Sequence, residues 1–240
     1  MRYVVPRLQT KALLFFYMII VSFPFMSWAE EPDWSDYSLV LNTYLKTGSK
    51  NGTTLTLVDY SSLRKTGEIN KVAKQLENFN VNNLSNRKER LAFYINAYNV
   101  FTIKMVLDNW PLESIKDAGS IFTSVWKMPA GQLGGREVSL DYIEHEIIRP
   151  MDEPRIHFAI VCASVSCPDL RMEPFIAAQL EQQLDDQAKR FLDNNVKGAR
   201  QEKNTLLVSK IFDWFEDDFQ RVNGVLAFIK RYNESLPKSI

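Results

Sequence analysis

The stretch Arg87 to Trp110 constrains the fold of this 240-residue chain more than any other. It is charged for one turn and then apolar around nearly its whole circumference, because Leu91, Phe93, Ile95, Ala97, Val100, Phe101, Ile103 and Leu107 do not fit on one helical stripe. A helix with no water-facing side must be covered by other elements, so the pattern predicts a fold built round a buried central helix that Pro111 closes. Asn96 and Asn99 project three residues apart from one face of it. A buried amide without partners costs about 1–3 kcal/mol, so both must be hydrogen-bonded. Two uses are open: tying the helix to neighbouring loop backbone, or orienting a catalytic side chain or a ligand.

The remaining segments supply the cover. Asp33 to Thr47 and Ile69 to Phe79 have the apolar spacing of one helical face. Lys46 to Thr54, with Gly48, Asn51 and Gly52, reads as a turn-rich link, and Leu55 to Tyr60 as a short strand. Val125 to Val138 predicts a β-hairpin with Gly131, Gly134 and Gly135 in its turns, and Ser139 then caps a helix that ends at Pro150. Arg155 to Cys162 reads as a strand whose apolar run Phe158 to Val161 is buried on both faces. Pro174 to Asn195 is a helix, Thr205 to Val208 a strand, and Ile211 to Phe219 and Val222 to Tyr232 two closing helices. In the first of these Phe212, Phe215 and Phe219 form a core stripe, leaving Asp213, Glu216 and Asp217 as the solvated side. Helices outnumber strands without alternating regularly with them, so the class is α+β, with the central helix packed against a small sheet and surrounded by further helices.

Residues 1–29 read as a secretory signal: Arg2, Arg7 and Lys11 precede an apolar run from Ala12 to Met26, and Ser27-Trp28-Ala29 offers small residues at a cleavage site. The run is shorter than the ~20 residues of a spanning helix and contains Pro24, which argues against an anchor. The expectation is an exported protein, periplasmic if the source has two membranes, with one globular domain over 30–240. The whole chain has 29 Lys and Arg against 29 Asp and Glu, and loss of the leader's three cations tips the balance to negative. That disfavours nucleic acid as a partner, since phosphates select a basic stripe.

All of the sulfhydryl chemistry and one of the two histidines lie in His157 to Arg171, HFAIVCASVSCPDLR. In an extended strand His157 and Cys162 lie roughly 16 Å apart and point to opposite faces, which excludes a simple dyad there. The loop Ala163 to Ser166 can bring Cys167 back. Three readings of the cysteines stay open: a disulfide between Cys162 and Cys167, favoured by an oxidising compartment; a nucleophilic Cys167 with His157 as base; or two small buried side chains. His145 follows Glu144 and lies one helical turn after Asp141, a carboxylate placed to fix its tautomer. These histidines with Cys167 lack a paired-ligand motif, so neither a metal nor any other cofactor is expected. Ser164 and Ser166 sit in no nucleophile elbow and read as turn residues. Arg155 and Arg171 flank the segment as candidate carboxylate binders, with Glu144 and His145 as further binding candidates.

Four segments, LAFYINAYN, SLDYIEHEIIR, HFAIVCASVSCP and SKIFDWFEDDF, occur in an order and spacing that resemble the family called domain of unknown function 547, over about residues 59–219. The resemblance implies no assigned chemistry and no catalytic residue. A remote similarity to papain-like and transglutaminase-like folds, with a helix against a small histidine-bearing sheet, meets a departure: those enzymes begin the central helix with a nucleophilic cysteine, and this helix has none. Two functions follow as expectations. One is a thiol-dependent hydrolase or acyl or peptidyl transferase on a peptide-like substrate, with Cys167 as nucleophile, His157 as base and Asn96 or Asn99 as orienting or oxyanion-stabilising groups. The other is a noncatalytic module binding a small molecule, peptide or protein, stapled by a Cys162–Cys167 disulfide.

Overall fold

A computed structural model describes residues 32–50, 52–119 and 123–233. The leader expected over 1–29 lies outside them. The central helix, α4 (Arg87–Asp108), starts where the Asn86 side chain accepts from the Glu89 amide, and nearly every side chain from Leu91 to Leu107 is buried. Before it come α1 (Ser35–Tyr44), the hairpin β1 (Leu45–Lys50) and β2 (Thr53–Val58), α2 (Tyr60–Thr66) and α3 (Glu68–Asn78). The segment read as a turn-rich link is therefore half a strand: Lys46 to Lys50 pair antiparallel with Thr53 to Leu57. Gly48 concealed this, because in isolation it signals a turn, whereas its lack of a side chain leaves room here for Leu57.

The second hairpin joins β3 (Pro129–Leu133) and β4 (Arg136–Ser139). Gly134 and Gly135 form its turn with φ of 54° and 77°, as their sequence position predicts. Gly131 does not turn the chain. It lies in β3 against α4, where an added Cβ would stand 2.3 Å from the buried Phe101 ring. Gly131→Ala is expected to lower stability by about 1–3 kcal/mol through overpacking; unfolding in urea checks this, and an unchanged midpoint would mean that the ring gives way freely.

Ser139 caps α5 (Leu140–Tyr142) by accepting from the Tyr142 amide, as the sequence predicts, and the helix then widens into a π-helical turn, Ile143–Ile148. Beyond Pro150 the predicted strand at Arg155 to Cys162 is absent. Residues Pro154–Phe158 form a 3-10 helix whose first turn Glu153 caps, with Pro154 at its start, and the chain then runs irregularly to the cysteines. The burial was read correctly and the conformation was not. Ile156, Ala159, Ile160 and Val161 enter the core around α4, while Phe158 enters a second core formed with α6 (Leu180–Leu192) and the C-terminal helices. A segment wedged between two cores is apolar on all sides, as an inner strand is, so the residue pattern does not separate them.

The third hairpin, β5 (Ala199–Glu202) with β6 (Thr205–Val208), is followed by α7 (Ile211–Trp214), α8 (Glu216–Gln220) and α9 (Gly224–Tyr232). The fold is α+β, with a correction: in place of one small sheet against α4, the described residues hold three separate two-stranded hairpins. No helix among them is long and apolar enough to cross a membrane.

Candidate functional site

The two asparagines of α4 work as substitutes for missing strand neighbours. Asn99 donates from Nδ2 to the Ala159 carbonyl at 3.0 Å and accepts the Val161 amide on Oδ1 at 3.0 Å. Asn96 does the same to Phe175, donating to its carbonyl at 2.8 Å and accepting from its amide at 2.9 Å. From the other side α6 supplies Gln187, which donates to the carbonyls of Phe158 and Asp169, and Gln183, which bridges Pro174 and Ile176. Buried backbone without a ladder needs such partners. Sequence reading flagged the asparagines and passed over the two glutamines, whose spacing of four on one helix face was the available signal.

Cys162 and Cys167 are joined by a disulfide, with Cα atoms 6.1 Å apart. The Cys167 amide donates to the Ser164 carbonyl at 3.0 Å, closing the small loop, and Ser164 and Ser166 face each other through their hydroxyls, consistent with turn residues. A sulfur bonded to sulfur is no thiolate. The pairing of Cys167 with His157 as nucleophile and base is therefore replaced in this structure by two separate arrangements, the disulfide and a carboxylate contact of the histidine.

That carboxylate is Asp218, which the sequence reading did not single out. Its position beside the solvated Asp217 on a short acidic helix hid it. His157 is buried, stacked on Phe215 with ring centroids 3.9 Å apart, and its Nε2 lies 2.7 Å from Asp218 Oδ2. Arg149 grips the same carboxylate in bidentate fashion, Nε to Oδ2 at 2.7 Å and Nη2 to Oδ1 at 3.0 Å. The Arg149 Nη1 group then donates to His145 Nδ1 at 2.8 Å, so that nitrogen accepts and the ring proton sits on Nε2. Asp141, expected to orient His145, stands 3.9 Å from Nε2, beyond a direct hydrogen bond. Both histidines of the chain thus converge on one arginine–aspartate pair.

The electrostatics follow from these contacts. Hydrogen bonds from His157 and Arg149 hold the Asp218 carboxyl well below the usual range, despite its partial burial. Burial pushes the His157 imidazole down, with Asp218 acting against that. Burial also pushes the Glu144 carboxyl up to about 7, where the Tyr98 hydroxyl donates to it at 3.3 Å. Glu144 therefore keeps its proton to near-neutral pH beside the Tyr98 hydroxyl.

Arg155 and Arg171 are committed to internal carboxylates. Arg155 chelates Glu153 and reaches Asp185 at 2.8 Å and Glu181 at 2.7 Å; Arg171 pairs with Glu173 and Asp186. Arg155 is nevertheless among the residues lining an open groove of about 550 Å³ between α6 and α9. Among the described residues no group of three or more His, Cys, Asp or Glu is placed to hold a metal ion.

Residues 81–192 match the family described as Protein of unknown function, DUF547. The match spans α4, the second hairpin, the cysteine loop and α6; Asp218 and the groove wall on α9 lie beyond it. No curated protein and no solved structure matches the chain.

Proposed function

We propose that this chain, whose residues 81–192 belong to the family of unknown function DUF547, is an exported noncatalytic binding module whose ligand lies in the groove between α6 and α9. The observation that carries this reading is the assignment of every expected catalytic group to a structural partner: the two sulfurs bond each other, Asn96 and Asn99 close on backbone, and His157 meets Asp218. The groove, by contrast, is open and has the size of a small-ligand site. Its lining mixes charged groups of both signs with Val222, Phe228 and Tyr232, which suits a polar ligand with some apolar surface.

The test begins with thiol counting in denaturant. Protein purified without reductant should show no free thiol, and both cysteines should titrate after reduction. The oxidised protein should hydrolyse neither p-nitrophenyl acetate nor short peptides. Hydrolysis that starts on mild reduction and stops after iodoacetamide treatment would overturn the binding reading in favour of a thiol hydrolase.

A further inference from the structure

The loop that carries the two cysteines is held at both ends by groups other than its sulfurs. Before it, Asn99 bonds the Ala159 carbonyl and the Val161 amide from inside the core. After it, Gln187 donates to the Asp169 carbonyl at 2.8 Å, and the Asp169 carboxylate accepts from the buried Lys197 ammonium at 2.7 Å and from the Thr56 amide at 3.1 Å. Pro168 and Leu170 are buried beside these bonds. The disulfide thus joins two points that other contacts already fix, and it closes only the short ring from Cys162 to Cys167. A ring that small restricts the unfolded chain less than a long one does.

Between those anchors the loop meets water. Ala163, Ser164 and Ser166 are exposed and both cysteines are partly exposed, so the segment is open to a small thiol. Ala163 has a φ of 52°, in the left-handed region where a Cβ is crowded by its own backbone. Opening the ring allows that residue to relax. Disulfides that are exposed or closed against strain are the labile ones, which exchange with thiols.

We infer that Cys162 and Cys167 form a redox-active pair, reduced and reoxidised by a low-molecular-weight thiol of the glutathione class while the fold around them stays closed. This chemistry is separate from the groove and stands whatever ligand the groove takes. The thiolate of one glutathione attacks one cysteine sulfur; the sulfur–sulfur bond breaks, a mixed disulfide forms and the other cysteine sulfur leaves as a thiolate. A second glutathione attacks the glutathione sulfur of the mixed disulfide and frees the first cysteine. Two glutathiones thereby supply two electrons and two protons, become one oxidised glutathione and leave two thiols on the protein.

The full chain as purified is equilibrated near neutral pH with about 10 mM reduced and about 0.1 mM oxidised glutathione, quenched in acid, and its thiols counted by mass after maleimide labelling. At least about a tenth of the molecules should carry two thiols, against about one in a hundred or fewer for a disulfide resistant to that buffer. Near-ultraviolet circular dichroism of the reduced protein should match that of the oxidised protein. The double variant Cys162→Ser, Cys167→Ser should fold and give the same spectrum. A reduced share below about a tenth, reduction only once urea has unfolded the chain, or a double variant that does not fold overturns the redox assignment.

Discussion

Asp218→Asn is expected to lower stability by about 2–4 kcal/mol at neutral pH, among the largest effects of any single change outside the apolar core. The substitution keeps the side chain's shape and removes the charge that holds the bidentate Arg149 contact and the His157 bond. Urea unfolding of both proteins measures it, and a loss below about 0.5 kcal/mol would show the cluster to be incidental. The pH profile separates its members. Asp218 has a depressed carboxyl, so its contribution is complete above its ordinary value of 3.8 and disappears as pH falls through the folded-state value. His157 has a depressed imidazole, so the folded state resists its protonation and stability falls as pH drops below 6.5 toward the folded value. Glu144 acts oppositely: its raised carboxyl stays protonated in the folded chain, so stability declines as pH rises from 4.5 to about 7. The last two overlap and partly cancel. Asp218→Asn should flatten the most acidic limb and, by removing the anion that favours imidazolium, extend the His157 limb downward.

Asn99→Leu should cost about 2–5 kcal/mol, because leucine fills the space yet leaves the buried Ala159 carbonyl and Val161 amide without partners. Fast hydrogen exchange at the Val161 amide should accompany the loss. If the urea midpoint falls and exchange at Val161 quickens together, Asn99 is an architectural residue. Unchanged stability and unchanged exchange would show that its backbone bonds are dispensable.

Much of the core was readable in the chain. The all-round apolarity of Leu91 to Leu107 requires enclosure whatever encloses it, and α4 is enclosed. The Ser139 cap and the Gly134–Gly135 turn were readable for the same reason, since each is decided within four or five residues. The strand assigned to Arg155–Cys162 failed because an apolar run fits either conformation, and the groups that satisfy the irregular backbone from Phe158 to Val161 are side chains of Asn99 and Gln187, 62 and 29 residues away from the amide and carbonyl they meet. Asp218 went unnoticed because the two residues before it, Glu216 and Asp217, are exposed acids, and its role is set by Arg149 and His157, 69 and 61 residues away.

What the amino-acid order determined alone is which segments leave water, through hydrophobic spacing and the steric preferences of caps and turns, both local properties of the chain. Tertiary structure alone decided what the polar residues do: it joined the two sulfurs, closed the amides of α4 on backbone and gathered both histidines around Arg149 and Asp218. The reason is physical. Apolar burial is non-directional and needs no particular partner, whereas a hydrogen bond or ion pair exists only when two groups far apart in sequence meet within about 3 Å.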